Sequence, residues 1–412
     1  MLKWIIWGIS FISLYLGVFW VHIMYRNVIF ARNKREVKPK VTLVVPALNE
    51  EKSLAKTIHS IASLDYPKDK IQVIIVDHGS KDKTSEVARN LIKKYPEVEM
   101  KLVYLAREDD HIKAHAFNVG LKEATGDFVG CVDADTILME GCLNEMIPMF
   151  KDKVVGAVIS TIKVTRPRKF LEKIQHLEYI FGTYVRSLMS KIDTLHITPG
   201  ALSVYRKALF DKYGPFDEKN VTEDLEMAMR LNFHGYKIRI ATGSVTYTKV
   251  PNTVKSHFDQ RVRWYRGFIY NNLKYKKMMF KKKYGMLGGF QYPVNFITIF
   301  IVLLMFILLS YELFRSLLRW TTKIALFGTD VFLFEFPSLK DLILDMNITI
   351  IFPIIISFLI GLFIYHSAHK SLKEKWKYPF ALLGYIIVYP VLRGAQWLTA
   401  VYRETFKVKK KW

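Results

Sequence analysis

The sequence predicts an α/β domain with a mostly parallel sheet, joined to an α-helical transmembrane bundle, and three observations lead there. Short β-branched runs alternate with helical patterns between about residues 40 and 250, the mark of βαβ units around a largely parallel sheet. Four stretches, 4–25, 292–314, 348–365 and 379–402, are apolar enough to span a bilayer, which takes ~20 largely uncharged residues in a helix. A chain of 412 residues has room for both parts and is too long for one small binding module.

The first apolar stretch is too long for a cleaved signal peptide, and no small-residue cleavage site follows it, so it reads as an anchor. Arg26, Arg32, Lys34, Arg35, Lys38 and Lys40 follow it, whereas only Lys3 precedes it. The positive-inside bias therefore predicts that the domain after it is cytoplasmic, in an integral membrane protein. Lys370, Lys373, Lys375 and Lys377 also call for an inside loop, which agrees with two crossings after the domain. A full crossing by 379–402, the favoured reading, leaves Lys407, Lys409, Lys410 and Lys411 outside, against the bias. Pro390 and Arg393 within that stretch permit a bent or partial insertion instead. The expected organisation is an anchor with a basic linker at 1–39, the α/β domain at 40–250, an interfacial segment at 251–291 and about three spans within 292–412.

A net charge of +24 raises nucleic-acid binding as a function, but much of the excess sits beside apolar spans, as in Lys276, Lys277, Lys281, Lys282 and Lys283. There it would meet anionic head groups or plain solvent, and no nucleic-acid partner is expected. Cys131 and Cys142 have neither a disulfide framework nor a zinc spacing.

Predicted strands run 41–45, 72–76, 101–105 and 128–132. Ligands bind beyond the carboxyl ends of such strands, and the residues there are unusually polar. Phe170, Ile174, Leu177, Phe181, Tyr184 and Leu188 recur at steps of three and four, predicting an amphipathic helix over 169–191 that faces either the sheet or the membrane. The aromatic, lysine-rich stretch 264–290 reads as an interfacial helix leading into the second span. Residues 325–336 are apolar but interrupted by Asp330 and Glu335, and are expected at the outer interface.

Three motifs carry candidate chemistry. Asp133-Ala134-Asp135 ends a predicted strand, where a turn would bring both carboxylates to one hard cation, Mg²⁺ or Mn²⁺; the plain alternative is a turn or cap. Thr222-Glu223-Asp224 opens a helical run, with Thr222 or Asp224 as N-cap, or with Asp224 as a general base. Gln260, Arg263 and Trp264 share a face on one helical turn. An arginine fork suits a diphosphate and an indole face suits a sugar ring, whereas the bland version is an interfacial Trp with snorkelling arginines.

The order and spacing of the whole set resembles the membrane-bound synthase group of family 2 glycosyltransferases, which includes cellulose, hyaluronan, chitin and poly-N-acetylglucosamine synthases. Val44-Val45-Pro46-Ala47-Leu48-Asn49-Glu50-Glu51 is similar to the family's opening strand and turn, and Val76-Asp77-His78-Gly79-Ser80 to its next element. Lys113-Ala114-His115-Ala116-Phe117-Asn118 resembles the Lys-Ala-x-Ala-x-Asn block, and Asp133 and Asp135 fall where the family keeps its metal-binding pair. Pro199-Gly200-Ala201-Leu202-Ser203-Val204-Tyr205-Arg206 is close to an acceptor-side loop, and Asp224 with Gln260, Arg263 and Trp264 completes a match over about 41–267.

The resemblance implies a GT-A fold, a nucleotide-diphosphate sugar donor and inversion at the anomeric carbon. It implies that Pro46, Glu50, Asp77, His78, Lys113, Asp133, Ala134 and Asp135 bind the donor, that Asp133 and Asp135 hold the metal, and that Asp224 is the catalytic base. Gln260 and Arg263 would steady the diphosphate, with Trp264 under the acceptor sugar. His78 departs from the pattern, since a second aspartate usually stands there beside the nucleobase. The expected function is extension of a β-linked polysaccharide or oligosaccharide of hexose or N-acetylhexosamine; the alternative is transfer of one sugar to a lipid. A carbohydrate or lipid acceptor and membrane lipids are the expected partners. A non-catalytic tether is disfavoured, because it has no use for these motifs in this order.

Overall fold

The structure, a computed structural model, describes residues 2–26, 38–106, 113–328 and 348–408. Its centre is an eight-stranded sheet: β1 (Val41–Ala47), β2 (Ile71–Asp77), β3 (Glu99–Tyr104), β4 (Phe128–Cys131), β5 (Ile137–Leu138), β6 (Val155–Val164), β7 (Ser203–Arg206) and β8 (Lys237–Thr248). The strand order is β3-β2-β1-β4-β7-β6-β8-β5. Every residue of β1 and β2 is buried, as expected of parallel strands covered on both faces. The edge strand β3 alternates in exposure. Four predicted strands are present with ends shifted by at most two residues, but β5 to β8 were not anticipated. They bring antiparallel pairings of β4 with β7, β6 with β7 and β5 with β8 into a sheet otherwise parallel. β5 and β7 are too short for any period to show in the sequence.

Helices cover both faces. One core packs Leu54 and Ile58 of α2 (Leu54–Ala62), Ala88 of α3 (Thr84–Lys94) and Leu143 of α5 (Cys142–Met146) on the sheet. The other packs Phe117 of α4 (Lys113–Lys122), Leu209 of α7 (Lys207–Tyr213) and Met227 of α8 (Glu223–Phe233). The chain steps from β1 through β2 to β3 on one side and returns with β4 on the other. A crevice therefore opens beyond the carboxyl ends of β1 and β4, the place where open α/β sheets bind ligands.

The amphipathic helix forms as predicted, as α6 (Phe170–Lys191). Its facing is settled on both sides. Thr183 touches the backbone of β6, while Ile180, Tyr184 and Leu188 pack with Ile23 of α1 (Leu2–Met24) and Ile364 of α11 (Ile348–Ser371). The interfacial helix lies earlier than predicted, as α9 (Val254–Lys274). Short 3₁₀ turns follow it, and Phe280 (φ 59°) and Gly285 (φ 51°) hold left-handed conformations that no α-helix can continue through.

Among the described residues four helices are long and apolar enough to cross a membrane: α1, α10 (Tyr292–Phe327), α11 and α12 (Pro379–Thr405). α10 outruns its predicted end because 315–327 contains no Gly or Pro; Gly328 (φ 58°) stops it. Of the stretch expected at the outer interface, 329–336 lies outside the described residues, as do Lys409, Lys410 and Lys411. α12 begins where predicted and runs three residues further, and both its ends rest on helices that pack on the sheet domain. At its start the Lys173 ammonium lies over the Tyr378 ring, 5.4 Å from its centre; at its end Arg266 Nε donates to Glu404 Oε2 at 3.1 Å. Cys131 and Cys142 are buried free thiols.

Candidate active site

The crevice is built from loops that leave the strand ends and brace one another. After β1 the chain turns at Asn49, whose φ of 56° an asparagine tolerates. Its N–H donates to Ser80 Oγ at 2.9 Å and its Oδ1 accepts from the Lys81 N–H at 2.9 Å. The Glu50 N–H donates to Thr84 Oγ1 at 2.8 Å, so the loops after β1 and β2 move as one. Pro46 pairs with Val76 in the register. Asp77 is fully buried and accepts from the Ser80 N–H at 2.9 Å and from the Ser85 hydroxyl. His78 is buried beside it, its N–H donating to the Ala47 carbonyl at 3.2 Å.

Asp133, Ala134 and Asp135 form the turn after β4. Thr57 Oγ1 donates to the Ala134 carbonyl at 2.7 Å and fixes its middle. Asp133 is paired with Lys113 at the head of α4. Burial, then the neighbouring Asp133 and Glu50 carboxylates, push Asp135 up to about 6. Such a pair is short of positive charge. Among the described residues no three His, Cys, Asp or Glu side chains are placed to hold an ion unaided. Mg²⁺ commonly takes one or two protein carboxylates together with substrate phosphates, so the pair fits a divalent cation that arrives with a nucleotide.

Asp224 approaches the same place from the head of α8. Burial opposes a charge on Lys113, but Asp133, Glu223 and Asp224 together hold its pKa above the ordinary lysine value. Lys113 is thus paired with Asp133 and lies within electrostatic reach of Glu223 and Asp224. Burial raises both Glu223 and Asp224, Glu223 further through the Asp224 charge, while Lys113 and Arg263 pull both back. Thr198 Oγ1 donates to the Asp224 carbonyl at 2.5 Å. Gly200, in the same loop, passes so near that a Cβ would stand 2.6 Å from Lys113 Nζ and 2.9 Å from Asp133 Oδ1. Thr222 occupies the N-cap position of α8 without a capping hydrogen bond; its hydroxyl instead accepts from Asn271 Nδ2 of α9 at 3.1 Å.

α9 supplies the far wall. Arg263 faces Glu223 and Asp224 electrostatically. Gln260 is turned along the helix, its Oε1 accepting from Arg261 Nη1 at 2.6 Å. The guanidinium of Arg261 lies 4.2 Å from the centre of the Trp264 ring, and its Nη2 pairs with Glu178 of α6 at 2.6 Å. Glu178 also accepts from Tyr389 Oη of α12 at 2.7 Å. The carboxylate pair, Asp224 and Arg263 are thus electrostatic neighbours, while Trp264 and Gln260 are held by a second, buried ion pair. Motif reading missed Arg261, Glu178 and Thr198. Arg261 offered a signal, standing inside the Gln-x-x-Arg-Trp segment; Glu178 and Thr198 are distant in sequence and gave none.

Residues 39–267 match the family described as glycosyltransferase like family 2. The chain belongs to that family. The glycosyltransferase is 30% identical over 264 residues to the "Probable glycosyltransferase YdaM" of Bacillus subtilis (strain 168), covering 63% of this chain and 62% of the relative. It is 28% identical over 246 residues to a poly-β-1,6-N-acetyl-D-glucosamine synthase of Staphylococcus epidermidis, covering 59% of this chain and 58% of the relative. The matches thus span less than two thirds of these relatives' lengths. Among solved structures, the mannosyltransferase PcManGT from Pyrobaculum calidifontis, in complex with GDP-Man and Mn²⁺, superposes with a TM-score of 0.62 over 99% of this chain and 100% of that one, at 19% identity. The glycosyltransferase accordingly has the GT-A-like α/β domain and the apolar helices that the sequence led us to expect.

Proposed function

We propose that this glycosyltransferase is an inverting hexosyltransferase. It would move a hexose or N-acetylhexosamine from a nucleotide-diphosphate sugar to a growing β-linked polysaccharide or oligosaccharide at the cytoplasmic face of the membrane. The observation that carries this reading is that Lys113 is paired with Asp133 within electrostatic reach of Glu223 and Asp224, with Arg263 facing the same acids. A carboxylate pair beside a base suits direct displacement. The acceptor hydroxyl attacks the anomeric carbon, its proton passes to Asp224, and the nucleoside diphosphate leaves from the opposite face. Pro46, Glu50, Asp77 and His78 line the strand ends where the nucleoside would sit, with Lys113 and Arg263 toward the diphosphate. Gln260 would lie with Arg263, and Trp264 would offer its ring to the acceptor. A divalent cation, Mg²⁺ or Mn²⁺, held by Asp133 and Asp135 would neutralise the departing diphosphate. The poly-β-1,6-N-acetyl-D-glucosamine synthase relatives support N-acetylhexosamine as the sugar. The basic residues after α1 support the cytoplasmic side.

A second reading, transfer of one sugar to a lipid phosphate, draws on one observation. The guanidinium groups of Arg186, Arg261 and Arg393 all feel the Glu178 carboxylate, and Arg186 Nη1 is buried without a hydrogen-bond partner. A cationic excess at the membrane-side joint suits a phosphate. Purified protein incubated with a panel of labelled sugar nucleotides decides between them. A ladder of products supports the polymerase, a single lipid-soluble band supports the second reading, and no transfer from any donor overturns both.

A further inference from the structure

α12 has the length and hydropathy of a span, yet three observations place it elsewhere. The first is where its ends lie. Just before its start, Lys163 of β6 pairs with Glu374 at 2.8 Å, and Lys163 Nζ donates to the Leu372 carbonyl at 3.2 Å. Just past its end, Arg266 Nη2 donates to the Val408 carbonyl at 2.6 Å, beside the Arg266–Glu404 pair. Lys163 belongs to the sheet, and Arg266 to α9, whose Gly267 and Asn271 pack on Thr222 at the head of α8, so both ends of α12 lie on the same side as the α/β domain. A helix of 27 residues is ~40 Å long; here that length is laid along the domain instead of through a bilayer.

The second observation is the composition of its two faces. The inward face carries polar groups, and their partners are on α6 and α9. Tyr389 Oη donates to Glu178 at 2.7 Å, and Gln396 Nε2 lies 3.1 Å from His257 Nδ1. The Trp397 ring stacks on Tyr265 of α9 with centroids 4.1 Å apart and planes 5° apart. The outward face is an uninterrupted apolar stripe, with Phe380, Leu383, Ile387, Val391 and Leu398 all exposed. An amphipathic helix of this kind lies in the interface plane with its apolar face ~5–10 Å into the head-group boundary.

The third is charge. A crossing α12 would strand Lys407 and the basic residues after it on the far side, against the positive-inside bias; an α12 lying flat keeps them on the side of Lys370, Lys373, Lys375 and Lys377 and of the basic residues that follow α1.

We propose that α12 docks the catalytic domain on the bilayer surface as an in-plane helix, with α1, α10 and α11 crossing and the carboxyl-terminal tail remaining on the catalytic side. Its partner is the lipid leaflet next to the domain, met by the apolar stripe. The arrangement ties the membrane surface to α9, and so fixes the height of the cleft above the bilayer. This goes beyond the proposed activity and does not depend on which sugar is transferred.

The test uses the full chain in vesicles, with Cys131→Ser and Cys142→Ser as background and single cysteines at Val408 and at Lys52 of the catalytic domain. An impermeant maleimide should label both positions from the same side. Spin labels placed singly at Leu383, Ile387, Val391 and Leu398 should all report one shallow depth, while a label at Ile307 of α10 reports the deep interior. Labelling of position 408 from the side opposite to position 52, or a depth that passes through the bilayer centre along α12, overturns the proposal. Circular dichroism and a cooperative thermal transition show that each variant is folded, and both readouts are repeated with Cys131 and Cys142 retained, since these thiols are buried. A failure of the transferase reading would leave both readouts untouched.

Discussion

Gly267 of α9 meets Thr222 of α8 with no room for a methyl group: a Cβ there would stand 2.7 Å from Thr222 Cβ and closer still to its hydroxyl. This contact, with the Asn271 to Thr222 hydrogen bond of 3.1 Å one turn on, sets the separation of Asp224 from the Arg263 and Trp264 wall. Gly267→Ala is expected to destabilise the protein by about 1–3 kcal/mol through overpacking. It should lower turnover at least tenfold, because the two walls must part. Thermal unfolding in detergent and initial rates check this; full activity in the variant would mean that the contact positions nothing.

Asp224→Asn keeps the shape and removes the proton acceptor. Turnover should fall by about 10²–10⁴-fold, the usual worth of a general base, with nucleotide affinity unchanged. Rates measured beside equilibrium binding of the nucleotide separate the two effects, and wild-type turnover would remove Asp224 from the mechanism.

Asp133→Asn and Asp135→Asn should each make nucleotide binding insensitive to added Mg²⁺ or Mn²⁺. Calorimetric titration of the nucleotide with and without the cation provides the comparison. Equal cation dependence in variant and wild type would place the metal elsewhere.

Glu178→Ala removes one partner of a buried ion pair and leaves Arg261 uncompensated between α6 and Trp264. A loss of about 3–5 kcal/mol of stability is expected, with a raised KM for the acceptor. The unfolding temperature and acceptor saturation curves would register both.

His257 is fully buried between α9 and α12. Burial, and then the Arg261 charge, push it down to about 4 from its ordinary 6.5. The unfolded chain binds this proton more readily than the folded one, so stability is fully present above pH 6.5 and is lost as pH falls through 4. Unfolding temperature followed from pH 7.5 to 4 should decline, and His257→Gln should flatten that part of the decline. An unchanged slope in the variant would assign the acid sensitivity to other groups.

The amino-acid sequence by itself determined the parts. The buried runs of β1, β2 and β4, the stripe of α6 and the apolar stretches each follow from a local period or a local length, which one segment of chain can show. It also showed Asp133, Asp135, Asp224 and Arg263 as candidates, because each stands in a short motif. Tertiary structure alone decided how these meet. The placing of Lys113 within electrostatic reach of three acids joins residues up to 111 positions apart on α4, β4 and α8. The bracing of Trp264 by Glu178 needs two helices side by side. The contacts of α12 are the clearest case, since hydropathy measures only how apolar a helix is. Which groups its ends meet, Lys173 of α6 at the start and Arg266 of α9 at the end, only the packing of those helices decides.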